Sequence, residues 1–168
     1  MARLIDSQGR PVANKTRDYR HLDGEQPLVD GPVTVPLARW LEQREALRFH
    51  NGPVGVRLNG FDDPAELRED LRRLPLVALG FEKFTDGRAY SQARLLRERY
   101  GYGGELRATG DVLRDQLYFM RRCGFDSFEL AEGQDPAQAA QAFDEIGVQY
   151  QTAADDLTPV RERRQAAV

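Results

Sequence analysis

Two short turns hold most of the residues suited to chemistry. In KFTDGRAYS, Lys83 and Arg88 flank Thr85, Asp86 and Gly87, with Tyr90 and Ser91 just beyond; in ATGDVLRDQ, Asp111 and Arg114 follow Gly110. Cations beside the start of a helix, where unpaired N–H groups point outward, are the composition of an oxyanion cradle. A guanidinium one turn into the helix can grip an oxyanion through two parallel hydrogen bonds. Sulfite, sulfate or a phosphorylated cofactor would each fit. The same residues also serve structure: Asp86 and Asp111 are good N-caps, and pairing of Arg88 with Asp111, or of Arg114 with Asp86, would tie neighbouring loops together. Both readings stand on the sequence.

Other chemistries find less to work with. There is no GxGxxG after the first regular strand and no GxxxxGK[ST], so no nucleotide fingerprint is present. Ser91 would need a base to act as a nucleophile, and both histidines, His21 and His50, lie far upstream and read as surface or satisfied groups. Asp62, Asp86 and Asp111 could converge on Mg²⁺ only if their loops meet, in competition with capping. The single Cys123 excludes an intrachain disulfide, a CxxC pair and an all-cysteine metal site. Its place late in a helix, where the dipole disfavours a thiolate, suits a buried, inert thiol. No cofactor is predicted, and no metal.

Elements must bring those turns together. Strand-like runs begin at Val54 (VGVRL), Leu76 (LVALGF), Glu105 (ELRAT), Ser127 (SFEL) and Val148 (VQYQT), spaced by 22, 29, 22 and 21 residues. That is the spacing of β–α units joined by right-handed crossovers in a parallel sheet. Asp63-Pro64 before AELREDLRRL and Asp135-Pro136 before AQAAQAFDEIG each offer an N-cap acid followed by a first-turn proline, so both should open helices. Ala89, Ala93, Leu96 and Tyr100 share one face of a third helix. Leu113, Leu117 and Met120 share a face of a fourth, capped by Asp111 at its start and closed by Gly124. Ahead of these, LARWLEQREALRFH has an apolar helical face with Trp40 as a core anchor. The fold class is therefore α/β: one domain of repeated β–α units, open or curled like half of a (β/α)8 barrel, the curl being the expectation. An irregular N-terminal segment or short hairpin should span 1–26, the α/β domain 27–153 and a fraying tail 154–168. In such sheets ligands sit beyond the strands' carboxyl ends, which is where both turns fall.

Hydrophobic residues make up 40% of the 168 and charged residues 30%, as in an ordinary globular domain. No run approaches the length of a membrane span and no apolar leader follows MARLIDSQGR, so a cytoplasmic location and no membrane partner are expected. Net charge is -3, but nine Lys and Arg stand against six acids between Lys83 and Asp126, making that block +3 and the remainder -6. A basic block in an acidic chain suits a small anion or an acidic protein, not nucleic acid. Arg94, Arg97, Arg99, Arg107, Arg121 and Arg122, interleaved with Tyr100, Tyr102 and Tyr118, compose either a solvated surface or a docking patch.

The runs FTDGRAYS, ARLLRERYGYGGELRATGDVLRDQL and RRCGFD resemble a bacterial family of uncharacterised proteins encoded beside sulfite reductase and in places labelled an oxidoreductase of sulfite reduction. The likeness is specific over about a quarter of the chain and looser from about Val33 to about Tyr150. It implies an accessory protein of assimilatory sulfite reduction, with sulfite reductase or its electron donor as partner. The alternative drawn from the residues themselves is a small anion-binding enzyme using Lys83, Arg88 and Arg114.

Overall fold

The computed structural model describes residues 4–12, 18–83 and 85–144. Among them seven strands form one sheet: β1 (Leu4–Asp6), β2 (Arg20–His21), β3 (Val33–Pro36), β4 (Val54–Leu58), β5 (Leu76–Phe81), β6 (Glu105–Gly110) and β7 (Ser127–Glu129). The order across the sheet is β1-β7-β6-β5-β4-β3-β2, and only the β1–β7 pair is antiparallel. The crossovers carry α1 (Leu37–Arg48), α2 (Arg88–Arg94, continued by a wider π turn, Leu95–Arg99) and α3 (Leu117–Arg122); α4 (Pro136–Gln141) follows β7.

The sheet curls into a half-barrel, and one contact shows how far. β2 and β7 lie five places apart in the sheet order, about 24 Å if the strands lay flat. Yet His21 Nε2 sits 3.0 Å from Glu129 Oε2, while Nδ1 of the same ring is 2.6 Å from Thr34 Oγ1. The two ends of the sheet must bend toward each other for one imidazole to reach both.

Register sorts the faces. Val56, Val77, Leu106 and Phe128, with Leu58, Leu79 and Phe81, point to the helix side and merge with Leu67, Ala93, Leu96, Leu117, Met120 and Phe125 in one core. A fully buried leucine such as Leu79 contributes on the order of 2 kcal/mol there. The opposite, concave face carries the polar residues Thr34, Arg57, Glu105, Arg107, Ser127 and Glu129 beside Leu76 and Ala78. Glu105 Oε1 accepts from Ser127 Oγ at 2.6 Å and Arg107 Nη2 at 2.8 Å, and the Arg107 guanidinium lies over the Tyr19 ring. Arg57 Nη2 donates to the Leu22 carbonyl and to Asp23. The segment holding β2 is thereby fastened across the concavity.

Val54–Leu58 and Leu76–Phe81 form strands with the bounds their sequence predicts, and β6 runs one residue further than ELRAT. Trp40 and Cys123 are buried as expected, and Gly124 closes α3 at φ 103°. The N-terminal segment, expected to be irregular or a short hairpin, supplies two strands and reverses tightly after β1, with Ile5 bridged antiparallel to Pro11. The predicted strand at 148–152 and the tail from 154 lie outside the described residues.

Two helix readings are corrected. AELREDLRRL is a 3-10 turn, Pro64–Leu67, followed by turns, although Asp63 does cap it by accepting from the Ala65 N–H at 2.9 Å. Leu67, Leu71 and Leu74 keep to the core, and Asp70 lies buried beside them, held by Trp40 and Arg44. Asp111 is not the N-cap of the following helical turn: its N–H donates to the Phe81 carbonyl at 2.8 Å, so the chain stays with the sheet and the turn opens only at Arg114, with Leu113 at the cap position.

Candidate functional site at the carboxyl rim of the strands

The loops after β4, β5, β6 and β7 all leave the carboxyl ends of parallel strands, so KFTDGR and TGDVLR share one rim. Each is built differently. After β4, Asn59 Oδ1 accepts the Phe61 N–H and Asp62 Oδ2 accepts the Asn59 N–H, both at 2.8 Å; this small knot of turns projects the Phe61 ring into solvent at 79% exposure. Gln92 of α2 fastens the knot from beneath, donating to the Asn59 and Asp62 carbonyls at 2.7 and 2.8 Å.

After β5, Asp86 takes three kinds of hydrogen bond from one residue. The Arg88 N–H reaches Oδ1 at 3.1 Å, Nε reaches Oδ1 at 2.9 Å and Nη2 reaches Oδ2 at 2.7 Å. The guanidinium, held flat by this fork, lies 3.9 Å from the centre of the Phe61 ring. Gly60 permits the approach, because a side-chain carbon there would stand 2.9 Å from Arg88 Nε. Donation from the Arg88 side chain, and then from its N–H, holds the Asp86 carboxyl at about 2 against its ordinary 3.8. A depressed carboxyl favours the folded pairing above the ordinary value and loses it as pH falls through about 2. An NMR titration should therefore place the Asp86 midpoint near 2, and Arg88→Ala should return it most of the way to 3.8. A midpoint unmoved by the substitution would mean that the fork does not form.

Tyr90, one turn on, packs between Phe81 and Phe119 with ring centres 5.1 and 4.9 Å away. Burial pushes its hydroxyl up to about 12, so it stays a neutral phenol near pH 7. Lys83, Thr85 and Ser91 are exposed. After β6, Gly110 at φ 91° passes close to the Phe81 carbonyl, and Arg114 turns toward α4, its Nε donating to the Gln138 carbonyl at 3.0 Å.

The rim thus gathers the predicted residues without focusing them on one point. Arg88 pairs within its own loop and not with Asp111; Asp86 pairs with Arg88 and not with Arg114. Among the described residues no group of three or more His, Cys, Asp or Glu is placed to hold a metal ion, so Asp62, Asp86 and Asp111 do not form a Mg²⁺ site. Part of the Arg/Tyr set turns inward, while Arg94 and Arg99 stay exposed. Arg97 is tied to Asp126 and three carbonyls, Arg107 is buried on the concave face, Arg121 lies over Tyr118 and Phe143, and the Tyr102 hydroxyl donates to the Leu74 carbonyl.

A family model described as "Bacterial protein of unknown function (DUF934)" matches residues 55–161, well over half of the chain. The chain belongs to the DUF934 family. No curated protein and no solved structure matches it. The matched span holds both rim turns of this DUF934 chain and the strands from β4 onward; His21 and Thr34 precede it. Sequence reasoning missed the polar concave face, although its signal was present: Arg57, Glu105, Arg107 and Ser127 alternate with apolar residues in strands expected to be apolar on both sides. It also missed Phe61, whose role depends on a guanidinium from another loop. Among the described residues no helix is long and apolar enough to cross a membrane.

Proposed function

We propose that this DUF934 protein is an accessory protein of assimilatory sulfite reduction that docks on sulfite reductase or its electron donor through the strand carboxyl rim. The observation that carries the reading is the Phe61–Arg88 stack, with Phe119 half exposed beside Tyr90. Exposed aromatic rings next to a pre-positioned arginine are the composition from which interface hot spots are made, and little side-chain entropy remains to be lost on docking. The partner's identity comes from the resemblance of FTDGRAYS and its neighbouring runs to a family encoded beside the reductase. The anion-binding enzyme draws less support, since Arg88 is already forked onto Asp86 and Arg114 already donates to Gln138.

The test is capture of the purified reductase and of its donor by the folded protein. Phe61→Ala combined with Arg88→Ala should weaken the complex by about thirtyfold or more, the effect of losing one strong hot spot of about 2 kcal/mol. Because the Phe61 ring is 79% exposed and the Arg88 side chain 45%, folding should not change. Failure of the wild-type protein to bind either partner, with normal growth on sulfate of a strain lacking it, would remove the proposal.

A further inference from the structure

A second charged feature lies at the opposite end of the half-barrel, where the chain enters β5 and β6. A groove of about 750 Å³ runs between the turns after Leu67 and the loop Gly101–Gly104, within the size range of small-molecule sites. Arg68, Arg72 and Arg99 line it, and its lining contains no aspartate or glutamate. None of the three forms an ion pair with a described carboxylate, whereas Arg44, Arg48 and Arg97 at the same end all do. Arg68 is steadied over the Tyr100 ring at 5.4 Å.

The glycine loop is held rigid from behind. Arg97 Nη1 takes the Tyr102 and Gly104 carbonyls at 2.5 and 2.9 Å, and the buried Tyr102 hydroxyl donates to the Leu74 carbonyl at 3.1 Å. In a trans peptide the Gly103 N–H opposes the Tyr102 carbonyl, so it points away from Arg97. Gly101 and Gly103 carry no side chain that could keep a ligand from the backbone, and the space a Cβ would take at either is open. Three guanidinium groups without an ion-pair partner among the described residues, set around a rigid glycine turn, form a concave, cationic surface suited to a compact ligand with several negative charges.

We propose that this groove is a binding site for a small molecule bearing phosphate or sulfate groups. The site is separate from the rim, and it stands or falls independently of docking there.

Calorimetry with inorganic pyrophosphate at low salt tests it on the full chain. Binding should be saturable and weaken as salt rises. Arg72→Gln and Arg99→Gln should each lower affinity roughly tenfold, the loss of one charge-assisted contact. Both side chains are exposed and have no ion-pair partner among the described residues, so the melting temperature should hold. Arg73→Gln, outside the groove, should leave affinity unchanged. The proposal is overturned if pyrophosphate does not bind, if Arg73→Gln weakens it as much as Arg99→Gln, or if a hexaglutamate peptide binds at the groove and pyrophosphate fails to displace it. That last result would make the groove a protein-docking surface.

Discussion

Arg97→Ala should lower the melting temperature by on the order of 10 °C. One guanidinium serves four acceptors from two loops: the Gly124 carbonyl at 2.9 Å, the Tyr102 and Gly104 carbonyls at 2.5 and 2.9 Å, and the Asp126 carboxylate, whose Oδ2 also accepts the Leu106 N–H at 2.8 Å. Its removal strands a carboxylate and three part-buried carbonyls together. Breaking a buried pair costs about 3–5 kcal/mol, and the part-exposed Asp126 moves the expectation toward the lower figure. Arg97→Lys keeps the charge but cannot reach all the acceptors, so it should recover less than half of the loss. Thermal and urea unfolding followed by circular dichroism measure both. A loss below about 1 kcal/mol for alanine would show that water replaces the arginine at little cost. Since the same side chain fixes the 102–104 loop, Arg97→Lys should also weaken pyrophosphate binding without altering the rim.

What the sequence discloses and what it hides divide along sequence separation. Val54–Leu58 and Leu76–Phe81 are legible because apolar β-branched and leucine runs bounded by Gly, Pro and Asp are local signals, and their even spacing implies parallel crossovers. The degree of curl is not local: it depends on His21 meeting Glu129, 108 positions away, and on Arg57 reaching Asp23. Nothing near His21 announces either partner. Charge was likewise readable in amount but not in assignment. Of the arginines counted as one surface block, Arg97, Arg107 and Arg121 turn inward to carbonyls, carboxylates and rings, while Arg99 is joined at the groove by Arg68 and Arg72 from outside that block. The rim turns were located by their glycines and acids, yet the Asp86–Arg88 fork and its Phe61 platform needed the β4 and β5 loops side by side.

Asp70→Ala should cost about 3 kcal/mol and expose the connection between α1 and the turns that replace the predicted second helix. Asp70 is 2% exposed; its Oδ2 accepts from Trp40 Nε1 and lies 3.0 Å from Arg44 Nε, and its Oδ1 is 3.6 Å from Arg48 Nη2. Alanine leaves a buried indole N–H without an acceptor and two guanidinium groups without a counter-charge. The outer parts of both arginines reach water, so the expected cost stays near the low end for a broken buried pair. Asp70→Asn retains an acceptor for the indole but not the charge, and should lose about half as much. Trp40 is the only tryptophan, so its fluorescence during urea unfolding reads this cluster directly. An asparagine variant as unstable as alanine would assign the stabilisation to the ion pairs. An asparagine variant as stable as the native protein would assign it to the indole hydrogen bond and mark the arginines as bystanders, free to serve the basic end of the barrel.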